Sequence, residues 1–204
     1  MVLVGNDCAV GYLYRDVLCE PYASPTIWTK CLKDDFLAYV KTINDIRLDK
    51  FICLVKNPST LSGFYVKLHN GIKFECIHTK FDISANTPIV RDVNTYYCKP
   101  WEYITQKWLT RCKRMLDSRL DPVLILHINQ ADPDFATDNE RQLYISDVIT
   151  AAHQSGTKII VLSDFSITDS RVPHIIIGVN RPWQQEFKHN AQMFKQVLHN
   201  VISS

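Results

Sequence analysis

Val123-Leu124-Ile125-Leu126-His127-Ile128, then a stretch from Glu140 to Gln154 stopped by Gly156, then Lys158-Ile159-Ile160-Val161-Leu162-Ser163, then the run from His174 to Val179 follow one another in the second half of the chain. Short apolar runs rich in β-branched residues read as buried strands, and the longer stretch between the first two reads as a helix. Strand, helix and strand in succession predict a parallel layer with helices against it. A last amphipathic helix is predicted from about Gln184 to Ile202.

Upstream, Met1 to Gly5 reads as a short buried strand feeding a helix from Ala9 to Leu18, because Val10, Leu13, Tyr14 and Val17 recur at helical spacing. Two prolines make 19–26 a loop. A second helix is predicted from Lys33 to Asn44, with Phe36, Leu37, Val40 and Ile43 inward. Lys50 to Val55 reads as a strand. Gly63 to Leu68 and Ile72 to His78 flank His69-Asn70-Gly71, a strong hairpin signal, and a strand from Val93 to Cys98 is expected in the same sheet. From Trp101, the residues Ile104, Trp108, Cys112 and Met115 define the buried stripe of a helix whose opposite face, with Lys107, Arg111 and Arg114, is basic.

The chain has 204 residues, 46% of them hydrophobic and 22% charged, which suits a single folded domain over residues 1–204 and excludes disordered and low-complexity classes. Lys and Arg number 23 against 21 Asp and Glu, for a net charge of +2, so charge gives no reason to expect a nucleic-acid partner. No apolar run approaches a transmembrane length, and the apolar start ends at Asn6-Asp7, too early for an export signal. The expectation is a cytoplasmic protein without a transmembrane segment. The seven cysteines are Cys8, Cys19, Cys31, Cys53, Cys76, Cys98 and Cys112, with no zinc-type or redox-type spacing, and they are expected as free thiols.

Cys8 stands where the first strand enters a helix. A thiol there gains from the helix dipole and the unpaired backbone N–H groups, which would also hold an oxyanion, as a thiol acyl-transfer site requires. The structural alternative is a small buried residue under the first strand. A nucleophilic Cys needs a base. His78, on the strand face shared by Ile72, Phe74 and Cys76, is the first choice, oriented by Asp82 or Asp92, with Asp92 preferred. His127 is the second choice, because ligands of α/β sheets gather outside the carboxyl ends of strands. Asn6, Asp7, Trp28, Trp101, Lys107 and Arg111 are the expected substrate contacts. Asp132, Asp134 and Asp138 share one loop and invite a cation, but turn formation and helix capping explain Asp132 and Asp138, so neither a metal nor a cofactor is expected.

Gly5-Asn6-Asp7-Cys8-Ala9-Val10-Gly11-Tyr12-Leu13-Tyr14, Pro21-Tyr22-Ala23-Ser24-Pro25 and Asp35-Phe36-Leu37-Ala38-Tyr39-Val40 resemble the opening of an uncharacterised bacterial family from capsule and exopolysaccharide loci. The run from Trp101 to Arg114 is similar to that family's helix with Lys-Trp and paired basic residues. A group of papain-like cysteine peptidases has a similar layout, its Cys lying in a strand-to-helix turn like that around Cys8. These matches span about residues 1 to 130. The resemblance implies an α/β fold of papain-like or related kind and a part in making or decorating a surface polysaccharide, often labelled acetyl transfer. Its implied partners are a carbohydrate or polysaccharide precursor and an acyl donor. Both families commonly place a His just before the Lys-Trp helix, where this chain reads Tyr96-Tyr97-Cys98-Lys99. Either His78 takes that role or the chain is a non-catalytic glycan-binding or assembly protein. The fold expected is thus one α/β domain, a mixed sheet with flanking helices and an inserted hairpin.

Overall fold

The sequence pattern becomes structure in this order: β1 (Leu3–Gly5), α1 (Ala9–Tyr12) running on as a π-helical segment (Leu13–Leu18), and α2 (Lys33–Lys41) with a 3-10 turn (Ile43–Asp45) behind it. Next come β2 (Phe51–Lys56), β3 (Phe64–Leu68), β4 (Lys73–Glu75), β5 (Thr79–Asp82), β6 (Thr87–Asp92) and β7 (Thr95–Cys98). The chain ends with β8 (Val123–Ile128), α3 (Asp138–Gln154), β9 (Lys158–Ser163), β10 (His174–Ile176), α4 (Trp183–His189) and α5 (Ala191–Ser203). This computed structural model describes residues 2–19, 30–45, 71–75, 106, 110, 111, 113, 122–178 and 182–204, and residues 51–56, 64–68, 79–82, 87–92 and 95–98 as strand backbone.

The predicted parallel layer is a four-stranded sheet in the order β1-β8-β9-β10, with every neighbouring pair parallel. All six residues of β8 are buried, as a strand covered on both faces requires. Alternation splits them. Leu124, Leu126 and Ile128 join Ile159 and Val161 under α2 and α3, whereas Val123 and Ile125 join Ile160 and Leu162 under α1, α4 and α5. Each such fully buried aliphatic side chain contributes roughly 1.5–3 kcal/mol before the entropy of ordering the chain is set against it.

β1 lies at an edge of this sheet, and two devices hold it there. The Tyr14 hydroxyl, fully buried on the π-helical segment, accepts the Leu3 N–H at 2.9 Å and so occupies a donor of the open edge. Gly5 lets α1 pack tightly against the sheet. A Cβ there would clash with the Val10 side chain and lie 2.9 Å from the Ile125 carbonyl oxygen.

Several boundaries depart from expectation. The hairpin of β3 and β4 forms around Gly71, whose φ of 91° explains the glycine, and the Ile72 and Phe74 face is buried. β7, however, pairs with β6 in a separate antiparallel sheet of β5, β6 and β7 rather than joining the hairpin. Among the described residues the antiparallel strands thus form two small sheets of their own, and the expected mixed sheet is wholly parallel. Thr137, not Asp138, caps α3, its hydroxyl accepting the Glu140 N–H at 3.1 Å while the Glu140 carboxylate accepts from Ala136. The final helix breaks at Asn190 into α4 and α5.

Candidate functional site

β1 and β8 run side by side with Gly5 opposite Ile125, so the residues that follow Gly5 reach the carboxyl end of β8. Asn6 continues the ladder with its side chain. Its amide Nδ2 donates to the His127 carbonyl at 2.8 Å, and its Oδ1 accepts the His127 N–H at 2.9 Å. Asp7 then meets the His127 ring, with Oδ2 2.5 Å from Nδ1. Its other oxygen, Oδ1, accepts the Ala9 N–H at 2.8 Å and secures the start of α1. One turn of chain therefore clamps His127 by its backbone and by its ring.

The imidazole is fully buried, and burial alone would push its pKa down. The Asp7 carboxylate overrides this by charge and hydrogen bond, with smaller pushes from the Asn129 side chain and from the charge of Asp164, so the net displacement is upward. Trp183, opening α4, covers the ring with centroids 4.5 Å apart and planes tilted by 52°. Nδ1 is committed to Asp7, while Nε2 makes no hydrogen bond of good geometry among the described residues, the Asn129 side chain acting on the ring only from nearby.

His127 borders a cavity of about 320 Å³ at this end of the sheet, together with Asn6, Asp7, Cys8, Cys31 and Trp183. The loop of residues 129–135 also lines it, shaped by a turn in which Asp132 Oδ1 accepts the Asp134 N–H. Arg141, buried on α3, grips that loop through the Gln130 carbonyl at 2.6 Å. Lys33 ties a further side to that loop by donating to the Asp134 carbonyl at 2.8 Å and to α3 by donating to Glu140 at 2.7 Å.

Asn6, Asp7 and Cys8 come together here, joined by His127, the second-choice base. Two electronic expectations for Cys8 are corrected. The thiol is 7% exposed, and burial, reinforced by the negative charge of Asp7, pushes its pKa up rather than down. The Ala9 N–H, expected in an oxyanion site after Cys8, is already taken by Asp7. His78, Trp28, Trp101 and Lys107 lie outside the described residues, and Asp92 is described only as the last residue of β6. Arg111, expected on a solvated basic face, is 5% exposed and thus buried, and it is not among the residues lining this cavity.

Trp183 carries no mark of a functional role in the sequence pattern, although the helix expected from about Gln184 begins at it. Pro182 directly before it is the signal, since proline suits the entry of a helix. No family model, curated protein or solved structure matches the chain. Among the described residues no helix is long and apolar enough to cross a membrane.

Proposed function

We propose that this cavity carries out thiol-dependent acyl transfer or hydrolysis on a carbohydrate precursor, with Cys8 as nucleophile and His127, oriented by Asp7, as general base. The supporting observation is that Asp7 fixes His127 through Nδ1 and leaves Nε2 without a hydrogen bond of good geometry beside the cavity that Cys8 also lines. The raised thiol pKa fits proton removal during attack better than a standing thiolate. Cys8 Sγ bonds to the acyl carbon while its proton passes to His127 Nε2. Collapse of the tetrahedral intermediate breaks the bond to the donor's leaving group, which takes that proton. A sugar hydroxyl or water then attacks the thioester, giving its proton to Nε2, and Cys8 departs as the thiol by taking that proton back.

The carbohydrate acceptor and the part in surface-polysaccharide synthesis rest on the family resemblance. The cavity's mixture of aromatic surface, carboxylates and ammonium groups is chemically compatible with a polyhydroxylated ligand. The papain-like comparison enters through the strand-to-helix position of Cys8 alone. A binding-only reading draws on one observation of its own, the burial of the thiol together with the committed Ala9 N–H. Intact-protein mass spectrometry after exposure to an acetyl thioester or a p-nitrophenyl ester separates the two. The enzyme reading expects an acyl adduct mapped to Cys8, lost in Cys8→Ser and slowed in Asp7→Asn. An unmodified Cys8 under all donors supports the binding protein.

A further inference from the structure

A buried ring nitrogen beside a cavity, with no hydrogen bond of good geometry, is uncommon and asks for a ligand atom. When His127 carries both protons, Nδ1–H serves Asp7 and Nε2–H is a charged donor without a well-placed acceptor. Lys30 lines the same cavity, and its ammonium forms no ion pair among the described residues. Lys33, by contrast, is held by Glu140.

We propose that this cavity is an anion site, in which Nε2–H of His127 and the Lys30 ammonium hold a carboxylate or phosphoryl oxygen and thereby stop His127 from accepting the Cys8 proton. The inference rests on the cavity being the ligand site of the function proposed above, and it adds a regulatory property to that site. Asp7, Asp132 and Asp134 line the cavity and oppose an anion, and Lys30, Lys33 and the imidazolium of His127 match them in number, with Lys33 in the field of Asp134. Thioester hydrolysis would generate this occupied state directly. Water adds to the acyl carbon, the C–S bond breaks, Cys8 recovers its proton, and a carboxylate is released together with a proton that His127 can retain. The product would therefore inhibit most strongly at low pH.

The test follows the histidine imidazole resonances of the isotope-labelled full chain while sodium acetate or inorganic phosphate is added, with sodium chloride at matched ionic strength as the screening control. The His127 resonance is identified by its loss in His127→Gln or, should that variant not fold, by its proximity to the Trp183 ring. It should move saturably, and its pKa should rise with the anion present. The dissociation constant should weaken roughly tenfold for each pH unit above the pKa of the free imidazolium, as the competent fraction falls. Lys30→Ala should weaken it several-fold. A response to acetate alone assigns a carboxylate, and a response to phosphate alone assigns a phosphoryl group. A His127 resonance that neither anion moves beyond the chloride control overturns the proposal. Cys8→Ser should keep the response, so a response without any Cys8 adduct defeats only the acyl-transfer reading, and an adduct without a response defeats only this one.

Discussion

Two histidines on the parallel sheet meet opposite fates. His127 near the carboxyl end of β8 has Nδ1 2.5 Å from a carboxylate, whereas His174 at the start of β10 has Nε2 2.6 Å from the Ser163 hydroxyl. Burial pushes both imidazoles towards the neutral form. At His174 it prevails, with the Phe165 backbone opposing it only in part, while at His127 the Asp7 charge reverses it. The Ser163 hydroxyl also donates to the Phe165 carbonyl at 2.5 Å, so its one proton is spent and the His174 ring must be its donor. His174, half-buried, therefore spends its Nε2 proton on Ser163, whereas Nε2 of His127 has no hydrogen bond of good geometry among the described residues. A short contact to a histidine says little until the partner's charge and the second nitrogen are known.

The sharpest way to break this contrast is Asp7→Asn. Acylation of Cys8, followed in single turnovers across pH, should fall by up to about 10⁴-fold, the cost of losing the carboxylate that holds a catalytic imidazole in its working tautomer. The variant should also bring the His127 pKa below its ordinary value of 6.5, since burial then acts with much less opposition. Gly5→Ala attacks the framework that delivers Asp7 to β8, and should destabilise the protein by roughly 1–3 kcal/mol in denaturant unfolding through overpacking against Val10 and Ile125. Thr137→Ala removes the α3 cap and should cost about 1 kcal/mol while leaving both histidine pKa values in place.

The smallest effect is a pair of opposite pH slopes in thermal unfolding. His127, raised in the fold, contributes stability that is complete below the unfolded value of 6.5 and is lost as pH rises through its folded pKa. His174, lowered in the fold, contributes stability present above 6.5 and lost as pH falls through its folded pKa. His127→Gln should accordingly remove an alkaline loss, and His174→Gln an acid loss. Identical slopes in the two variants would erase the distinction.

How much of this was legible in the sequence depended on range. The bounds of β8 and β9 are legible to the residue because runs of four β-strand-forming aliphatic residues stand between clear breakers, and the turn of Asn6, Asp7 and Cys8 is visible as a strand-to-helix junction. The partner of that junction was not visible. Asp7 and His127 are 120 positions apart, and only the parallel register of β1 on β8 brings them together, a pairing that periodicity does not encode. Alternation along the strand predicted for Ile72 to His78 is a local signal and so points to His78. β5 and β6 were missed for the converse reason, since they are short, and Pro88 inside β6 argues against a strand that nonetheless pairs on both sides. The direction of the Cys8 shift depended on burial under the folded chain, which the dipole argument at a helix start does not include.

The most direct test of the account is nitrogen NMR of the imidazole of His127 in the wild-type protein and in Asp7→Asn. The account predicts a wild-type pKa above 6.5, with Nδ1 as the protonated nitrogen of the neutral ring, and a fall to below 6.5 in the variant. A His127 pKa that is the same in both proteins would contradict the Asp7–His127 pair as the centre of the site.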